Sequence, residues 1–488
     1  MRVLFAASEV YPLAKTGGLA DVAAALPAAL AALGAEVCII MPAYRGVAER
    51  MRSLEDAGEL QIRGQSLRLL AGTHPDHGVP MLLVDAPTLF ARAGNPYGHG
   101  DDAVRFGSFC EAVARVASGI PGSALARAGD PAASVDRGLW NTGQPADIVH
   151  LNDWHTGLTP AYLSSSAPRP RTVFTIHNLA YQGFFDRAQF DGLGLSPSLW
   201  SPEAIEFWGG FSFLKAGLVL SDALTTVSPT YAREIQTPEF GEHLDGVLRQ
   251  RAAQLHGILN GIDTTIWNPA TDTLIEHRYD AASVATGKAA NKRALQQQLG
   301  LADSDQPLLG FIGRLAHQKG ADALLAASGE LSQLPLQVVV LASGDPALEH
   351  GFSEWAARCP GQIAVRLAYD EGLAHRIEAA SDMFIMPSRY EPCGLNQMYS
   401  QRYGSIPLVR RVGGLADSVD DISGVAPTGI HFEHTDASGV IYAVRKALEL
   451  HAQPTFWRQM QARGMARDWS WRPSALRYLQ LYQSLLAA

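Results

Sequence analysis

Lys15-Thr16-Gly17-Gly18-Leu19-Ala20-Asp21 sets a cation, two glycines and a carboxylate between an expected strand end and an expected helix start. Amides and the helix dipole at such a start favour an anion, and the glycines let a ligand approach the main chain. The same residues also suit a tight strand-to-helix turn with a surface lysine. Further along, Arg314 and Lys319 stand five residues apart, in the loop expected after one apolar run and at the start of the next helix. Two cations so placed can hold a diphosphate and stabilise negative charge as a sugar–phosphate bond breaks. The alternative is an exposed, salt-bridged helix start. Glu391 follows another apolar run, in a loop bounded by proline and glycine, where a carboxylate can take sugar hydroxyls or steady an oxocarbenium charge. A lone loop glutamate is otherwise simply solvated. Gly394 and Leu395 are expected to begin the following helix, with amides able to meet sugar or phosphate.

Three more side chains stand at expected strand ends. His177 closes the run Val173–Ile176, Asp153 follows Ile148–Leu151, and Tyr369 follows Ile363–Leu367. Tyr369 can stack on a nucleotide base. Asp153 and Asp21 can bind hydroxyls or cap helices, and an isolated histidine is more often packed than reactive. Asp101-Asp102 reads as a solvated turn, and no DxD-type metal pair stands out.

The elements that must position these groups alternate strand and helix. Apolar runs at Val3–Ala7, Val37–Met41, Met81–Val84, Ile148–Leu151, Val173–Ile176 and Ala223–Val227 are each followed by polar or glycine-rich residues and helix-like sequence. An Ala/Leu-rich helix is expected from Leu19 to about Leu33, kinked at Pro27 and stopped by Gly34. The region Thr271–Gln306 is more polar and has little strand signal. The rhythm then restarts at Leu308–Ile312, Val338–Leu341, Ile363–Leu367, Met383–Met386 and Pro407–Val409, and two helices close the chain between Phe456 and Leu486. Two such runs predict two doubly wound Rossmann-like α/β domains facing a cleft, with ligands outside the carboxyl ends of the strands.

Composition narrows the function. The 488 residues are 47% hydrophobic and 18% charged, with a formal net charge of -9. Neither nucleic acid nor an anionic membrane is expected as a partner. No suitable G-x-G-x-x-G and no Walker lysine motif occurs, which weighs against a nicotinamide dehydrogenase or a P-loop kinase. Four scattered cysteines suit reduced thiols better than a disulfide framework. Met1–Phe5 runs directly into a strand pattern rather than a signal sequence, and no stretch reaches membrane-span length, so a cytoplasmic location is expected.

Taken together, the motifs resemble the bacterial glycogen synthases and plant starch synthases. The likeness begins at Lys15-Thr16-Gly17-Gly18-Leu19 and continues through Asn152-Asp153-Trp154-His155 and the segment from Thr175 to Gly183. It passes through Thr226–Tyr231 and Leu259–Asp263. In the second half it takes in Gly313-Arg314-Leu315, Gln318-Lys319-Gly320, Gly344-Asp345-Pro346, the segment Pro387–Leu395 and Gly413-Gly414-Leu415-Ala416-Asp417. The resemblance implies the GT-B architecture, with an acceptor-side domain at 1–256, a nucleotide-sugar domain at 257–469 and a last helix at about 470–488 packing back on the first. It implies transfer of glucose from ADP-glucose to the non-reducing end of an α-1,4-glucan (glycogen or a malto-oligosaccharide), with retention at the anomeric carbon and no cofactor or metal.

By the same resemblance Arg314 and Lys319 hold the donor phosphates, Glu391 and His177 hold the sugar, and Tyr97 and Asn260 line the cleft. Lys15, Gly17, Gly18, Asp21, Asp153, Gln318, Tyr369, Cys393, Gly394, Leu395, Gly413 and Gly414 complete the implied substrate contacts. Three positions depart from common patterns. Tyr399 stands eight residues after Glu391, where many retaining transferases of this architecture carry a second glutamate. Asn396 and Val412 replace usual threonines. The rival readings are a related transferase using UDP-glucose or another acceptor, a catalytically silent glucan-binding protein and, more remotely, an oxidoreductase. The sequence assigns no oligomeric state.

Overall fold

Short runs of Val, Ile, Leu and Phe flanked by helices fold as parallel strands buried on both faces. In the computed structural model, which describes residues 1–119, 143–164, 166 and 169–487, these runs build two compact units. The first comprises Met1–Val227, Ala232–Asn260 and Trp471–Ala488; the second comprises Ser228–Tyr231 and Gly261–Ser470.

The strands of the first unit are β1 (Arg2–Ala6), β2 (Glu36–Pro42), β3 (Arg52–Ile62), β4 (Gln65–Thr73), β5 (Pro80–Asp85), β6 (Ile148–Asn152), β7 (Arg171–Ile176), β8 (Phe184–Phe185), β9 (Glu206–Phe207), β10 (Gly210–Ser212), β11 (Ala223–Thr226) and β12 (Leu255–Gly257). Nine of them form one sheet in the order β12-β11-β7-β6-β1-β2-β5-β4-β3. All its pairings are parallel except β3 with β4 and β4 with β5. Strands β8, β10 and β9 make a small antiparallel sheet. The helix Gly18–Ala32 runs through Pro27 as one element and buries most of its length. The final helix Arg472–Ala487 belongs to this unit: its Tyr482 hydroxyl meets His150 Nδ1 at 2.6 Å, and Tyr478 packs on the same ring. Burial pushes His150 down to about 3, so a neutral imidazole links that helix to Thr175 on β7.

In the second unit β13 (Leu308–Leu315), β14 (Gln337–Gly344), β15 (Ile363–Leu367), β16 (Met383–Met386), β17 (Ile406–Arg410) and β18 (Ile430–Phe432) form an all-parallel sheet in the order β15-β14-β13-β16-β17-β18. Its core packs Phe311, Val338, Val340, Trp355, Ile385 and Leu408 against the surrounding helices.

The polar region 271–306 holds no strand, in keeping with its weak strand signal, and contains the 16-residue helix Val284–Leu299. Two expectations change. Asp102 is no solvated turn: it is the first residue of the helix Asp102–Ala117 and pairs, buried, with the buried Arg105. Arg314 lies on the last residues of β13 rather than in the loop beyond it.

Candidate active site

In the first sheet β1 lies between β2, which follows it in the chain, and β6, which comes much later. The order reverses there, and crevices of open α/β sheets form outside the strand ends at such points. The segments after the carboxyl ends of β1, β6 and β7 carry most of the candidate residues of this unit; Tyr97 lies beyond β5 and Asn260 beyond β12.

The segment after β1 reaches the helix at Gly18, with Gly17 at its N-cap. Lys15 Nζ lies 2.9 Å from Asp21 Oδ1 and over the Tyr11 ring, so Asp21 pairs with the lysine instead of capping the helix. The Thr16 amide donates to the carboxylate of Glu9, a residue not singled out from the sequence. That carboxylate occupies an amide of the loop otherwise suited to an external anion. Glu9 is buried, and desolvation pushes it up to about 7 against the pull of the Thr16 and Gly17 hydrogen bonds. Ser8, beside it, meets the Tyr97 hydroxyl at 2.8 Å, and the Tyr97 ring packs on His155.

Asp153 follows β6 with φ at 57°, an unfavourable conformation for a residue with a Cβ. Its side chain caps no helix: Oδ1 accepts the His177 amide at 2.8 Å, joining the ends of β6 and β7. Burial raises Asp153 to about 7. Asn152 Nδ2 donates to Ala6 O, which orients the amide so that its Oδ1 accepts from His177 Nε2 at 2.9 Å. Burial lowers His177 to about 3, so the ring is neutral, protonated on Nε2, with Nδ1 an acceptor. Asn260 is buried, and its Oδ1 has no hydrogen-bond partner among the described residues.

The second sheet reverses between β13 and β16. Lys319 ends a short turn after β13, and its Nζ lies 2.6 Å from Glu391 Oε2, beyond β16. Ser388 Oγ donates to the same oxygen at 3.0 Å, and Gly414 N donates to Glu391 O at 3.0 Å. Glu391 is buried. Gln318 is the link to Arg314: its Oε1 accepts from Arg314 Nη2 and its Nε2 donates to Tyr390 O, both at 3.4 Å. Two glycines are steric necessities. A Cβ on Gly320, at φ 65°, would meet Pro387 O at 2.0 Å, and one on Gly414 would meet Cys393 O at 2.2 Å.

Gly394 adopts φ 72°, and Leu395 is the N-cap of the helix Asn396–Arg402. Cys393 is buried beside them, and Gly413 opens the helix Gly413–Ser418. Asn396 donates to Ile312 O on β13, which gives this departure a structural task. Tyr399 stacks on Trp267 with ring centroids 3.8 Å apart, so an aromatic pillar fills the place of a second carboxylate. Tyr369 lies just beyond β15, is 75% exposed, and its hydroxyl donates to Glu371. Ser388, Asn152 and Glu9 are the supporting residues sequence reasoning did not assign. The first two lay within recognised segments, whereas nothing in the pattern marked Glu9.

The chain superposes on the catalytic domain of starch synthase IV from Arabidopsis thaliana, bound to ADP and acarbose, with a TM-score of 0.87 and 34% identity, covering 100% of this chain and 99% of that one. It superposes on sucrose-phosphate synthase from Thermosynechococcus elongatus with a TM-score of 0.60, 18% identity and coverage of 100% and 99%, a likeness of fold alone. The fold and site define a glycosyltransferase of the GT-B class. Residues 2–250 match the family described as starch synthase catalytic domain, and residues 292–462 match glycosyl transferases group 1. Glycogen synthase 1 of Methylococcus capsulatus is 48% identical over 501 residues, covering 100% of this chain and 97% of its own. The glycogen synthase of Thioalkalivibrio sulfidiphilus is 47% identical over 503 residues, with 100% of both covered. The chain belongs to the glycogen synthase and starch synthase family.

Proposed function

We propose that this chain transfers glucose from ADP-glucose to the non-reducing end of an α-1,4-glucan with retention of anomeric configuration. The observation that carries the reading is the Lys319–Glu391 contact at 2.6 Å, set at the reversal of a doubly wound sheet. The ADP-bound starch synthase relative supports the choice of nucleotide. In this reading Arg314 and Lys319 meet the charge that develops on departing ADP, a task needing neither metal nor cofactor. Glu391 is held by Lys319 and Ser388, which suits it to orient sugar hydroxyls rather than to attack carbon. The acceptor hydroxyl attacks the anomeric carbon from the face that ADP leaves, and its proton passes to the departing phosphate oxygen. His177, neutral and fixed by Asn152, orients the glucose and carries no proton through the reaction.

Lys15, Gly17, Gly18, Asp21, Tyr97, Asp153 and Asn260 contribute the remaining contacts on the first unit. Gln318, Tyr369, Cys393, Gly394, Leu395, Gly413 and Gly414 contribute those on the second. No helix among the described residues is long and apolar enough to cross a membrane, and we place the activity in the cytoplasm. Purified protein incubated with glycogen and either ADP-glucose or UDP-glucose tests the reading. Nucleotide release and glucan growth are expected with ADP-glucose; faster growth with UDP-glucose would refute the donor assignment. Glycogen binding without nucleotide release would show a silent binder.

A further inference from the structure

The small sheet of the first unit presents Trp208, the most exposed aromatic ring among the described residues, at 77%. Trp208 occupies the turn between β9 and β10 at φ 51°, and the turn is closed by Gly209 N donating to Glu206 Oε1 at 2.7 Å. Its ring stands 6.4 Å from that of His243, which with Glu242 also has positive φ, 64° and 46°. Three non-glycine residues in unfavourable backbone conformations thus converge around one exposed indole, and such strain persists where the surrounding structure enforces it. Phe184, 53% exposed, lies across the hairpin against Phe207. Gly210 permits this, since a Cβ there would come within 2.4 Å of the Phe184 ring. Gln182 Nε2 donates to Glu242 O at 2.8 Å and ties the strained loop to the segment that carries Phe184.

We propose that Trp208 and Phe184 form a stacking platform for an α-glucan chain, a holding site for the polymer apart from its reacting end. The inference rests on the glucan acceptor of the proposed function. Flat aromatic faces suit the C–H faces of pyranose rings, and the polar groups of Gln182, Glu206 and His243 stand beside them for hydroxyls. Exposed Glu203 and Glu242 in the flanking segments disfavour an anionic lipid surface or a nucleic acid. The chain ties the platform to the candidate site. The segment bearing it starts at His177, and Gly183 packs directly on the ring of Trp154, the neighbour of Asp153. A polymer held there keeps its growing end at high local concentration.

The test compares wild type with Trp208→Ala, Phe184→Ala and Trp208→Phe in native gels containing glycogen and in turnover assays with glycogen or maltotriose. Trp208→Ala is expected to lose retardation and to raise KM for glycogen about fivefold to tenfold. KM for ADP-glucose and kcat with maltotriose should stay as in wild type, and Trp208→Phe should restore part of the glycogen affinity. Unchanged retardation and glycogen KM in Trp208→Ala would overturn the proposal. An equal loss with maltotriose would also overturn it, by placing Trp208 at the reacting end. Wild-type protein that neither elongates glycogen nor is retarded by it would defeat the proposed function itself, and this inference with it.

Discussion

Replacing Lys319 with alanine separates what the lysine does for the fold from what it does for the reaction. In the folded chain its ammonium sits 2.6 Å from a carboxylate whose side chain is only 6% exposed, while the lysine is 24% exposed. Removing one partner of a fully buried pair costs about 3–5 kcal/mol. Here water reaches the lysine side and Ser388 still donates to Glu391, so the expected loss falls to about 1–2 kcal/mol. Loss of a cation aimed at the departing phosphate should cost more, about 100- to 1,000-fold in kcat. The two effects come apart in the double variant Lys319→Ala/Glu391→Gln. Neutralising the stranded carboxylate should recover most of the stability, because contacting residues are non-additive, and recover none of the activity. Urea denaturation and initial rates of ADP release from ADP-glucose with glycogen give both numbers. A folded Lys319→Ala protein whose kcat lies within about threefold of wild type would refute the reasoning, since that is under 1 kcal/mol of barrier.

Glu9 is raised to about 7, so between its unfolded value near 4.5 and that pH the native state binds the extra proton, and this contribution to stability is lost as pH rises. Glu9→Gln should therefore gain on wild type by up to about 3 kcal/mol between pH 4.5 and 8; a difference independent of pH in urea titrations would contradict the shift. Gly320→Ala should destabilise the second unit by roughly 2–4 kcal/mol, from the left-handed backbone and the close Pro387 carbonyl, measured as a lowered denaturation midpoint. His177 titrates near 3 and should leave no inflection near pH 6.5 in log kcat. Such a limb in wild type that vanished in His177→Asn would show that the ring does carry a proton.

The parallel strands were legible because each is a short apolar run between helix-like segments, and the strand-end positions of Asp153 and His177, with Glu391 in the loop beyond β16, followed from them. The helix Val284–Leu299 was hidden because most of the face it buries is polar, with Val284 and Leu295 set among Lys288, Asn291, Lys292 and Gln296. Lys288 donates to the carbonyls of Glu378, Ala379 and Tyr403, Lys292 pairs with Asp382, and Gln296 bonds Gln337. A hydrophobic period cannot report such a face. The hairpin β3–β4 was missed for a related reason: its strands mix exposed charge with glycine and carry two register shifts. Glu9 escaped because a carboxylate that supports a loop through backbone amides looks, in sequence, like any surface glutamate. Asp102 misled in the opposite direction, its partner Arg105 being one helical turn away inside the unit.

Proton NMR of a mixture of the protein, ADP-glucose and maltotriose, recorded from the first turnovers, tests the central claim most directly. The account predicts that the donor anomeric signal decays as ADP and a new α-1,4-linked anomeric signal rise in equal amounts. A β-linked product, or ADP released with free glucose and no lengthened glucan, would contradict it.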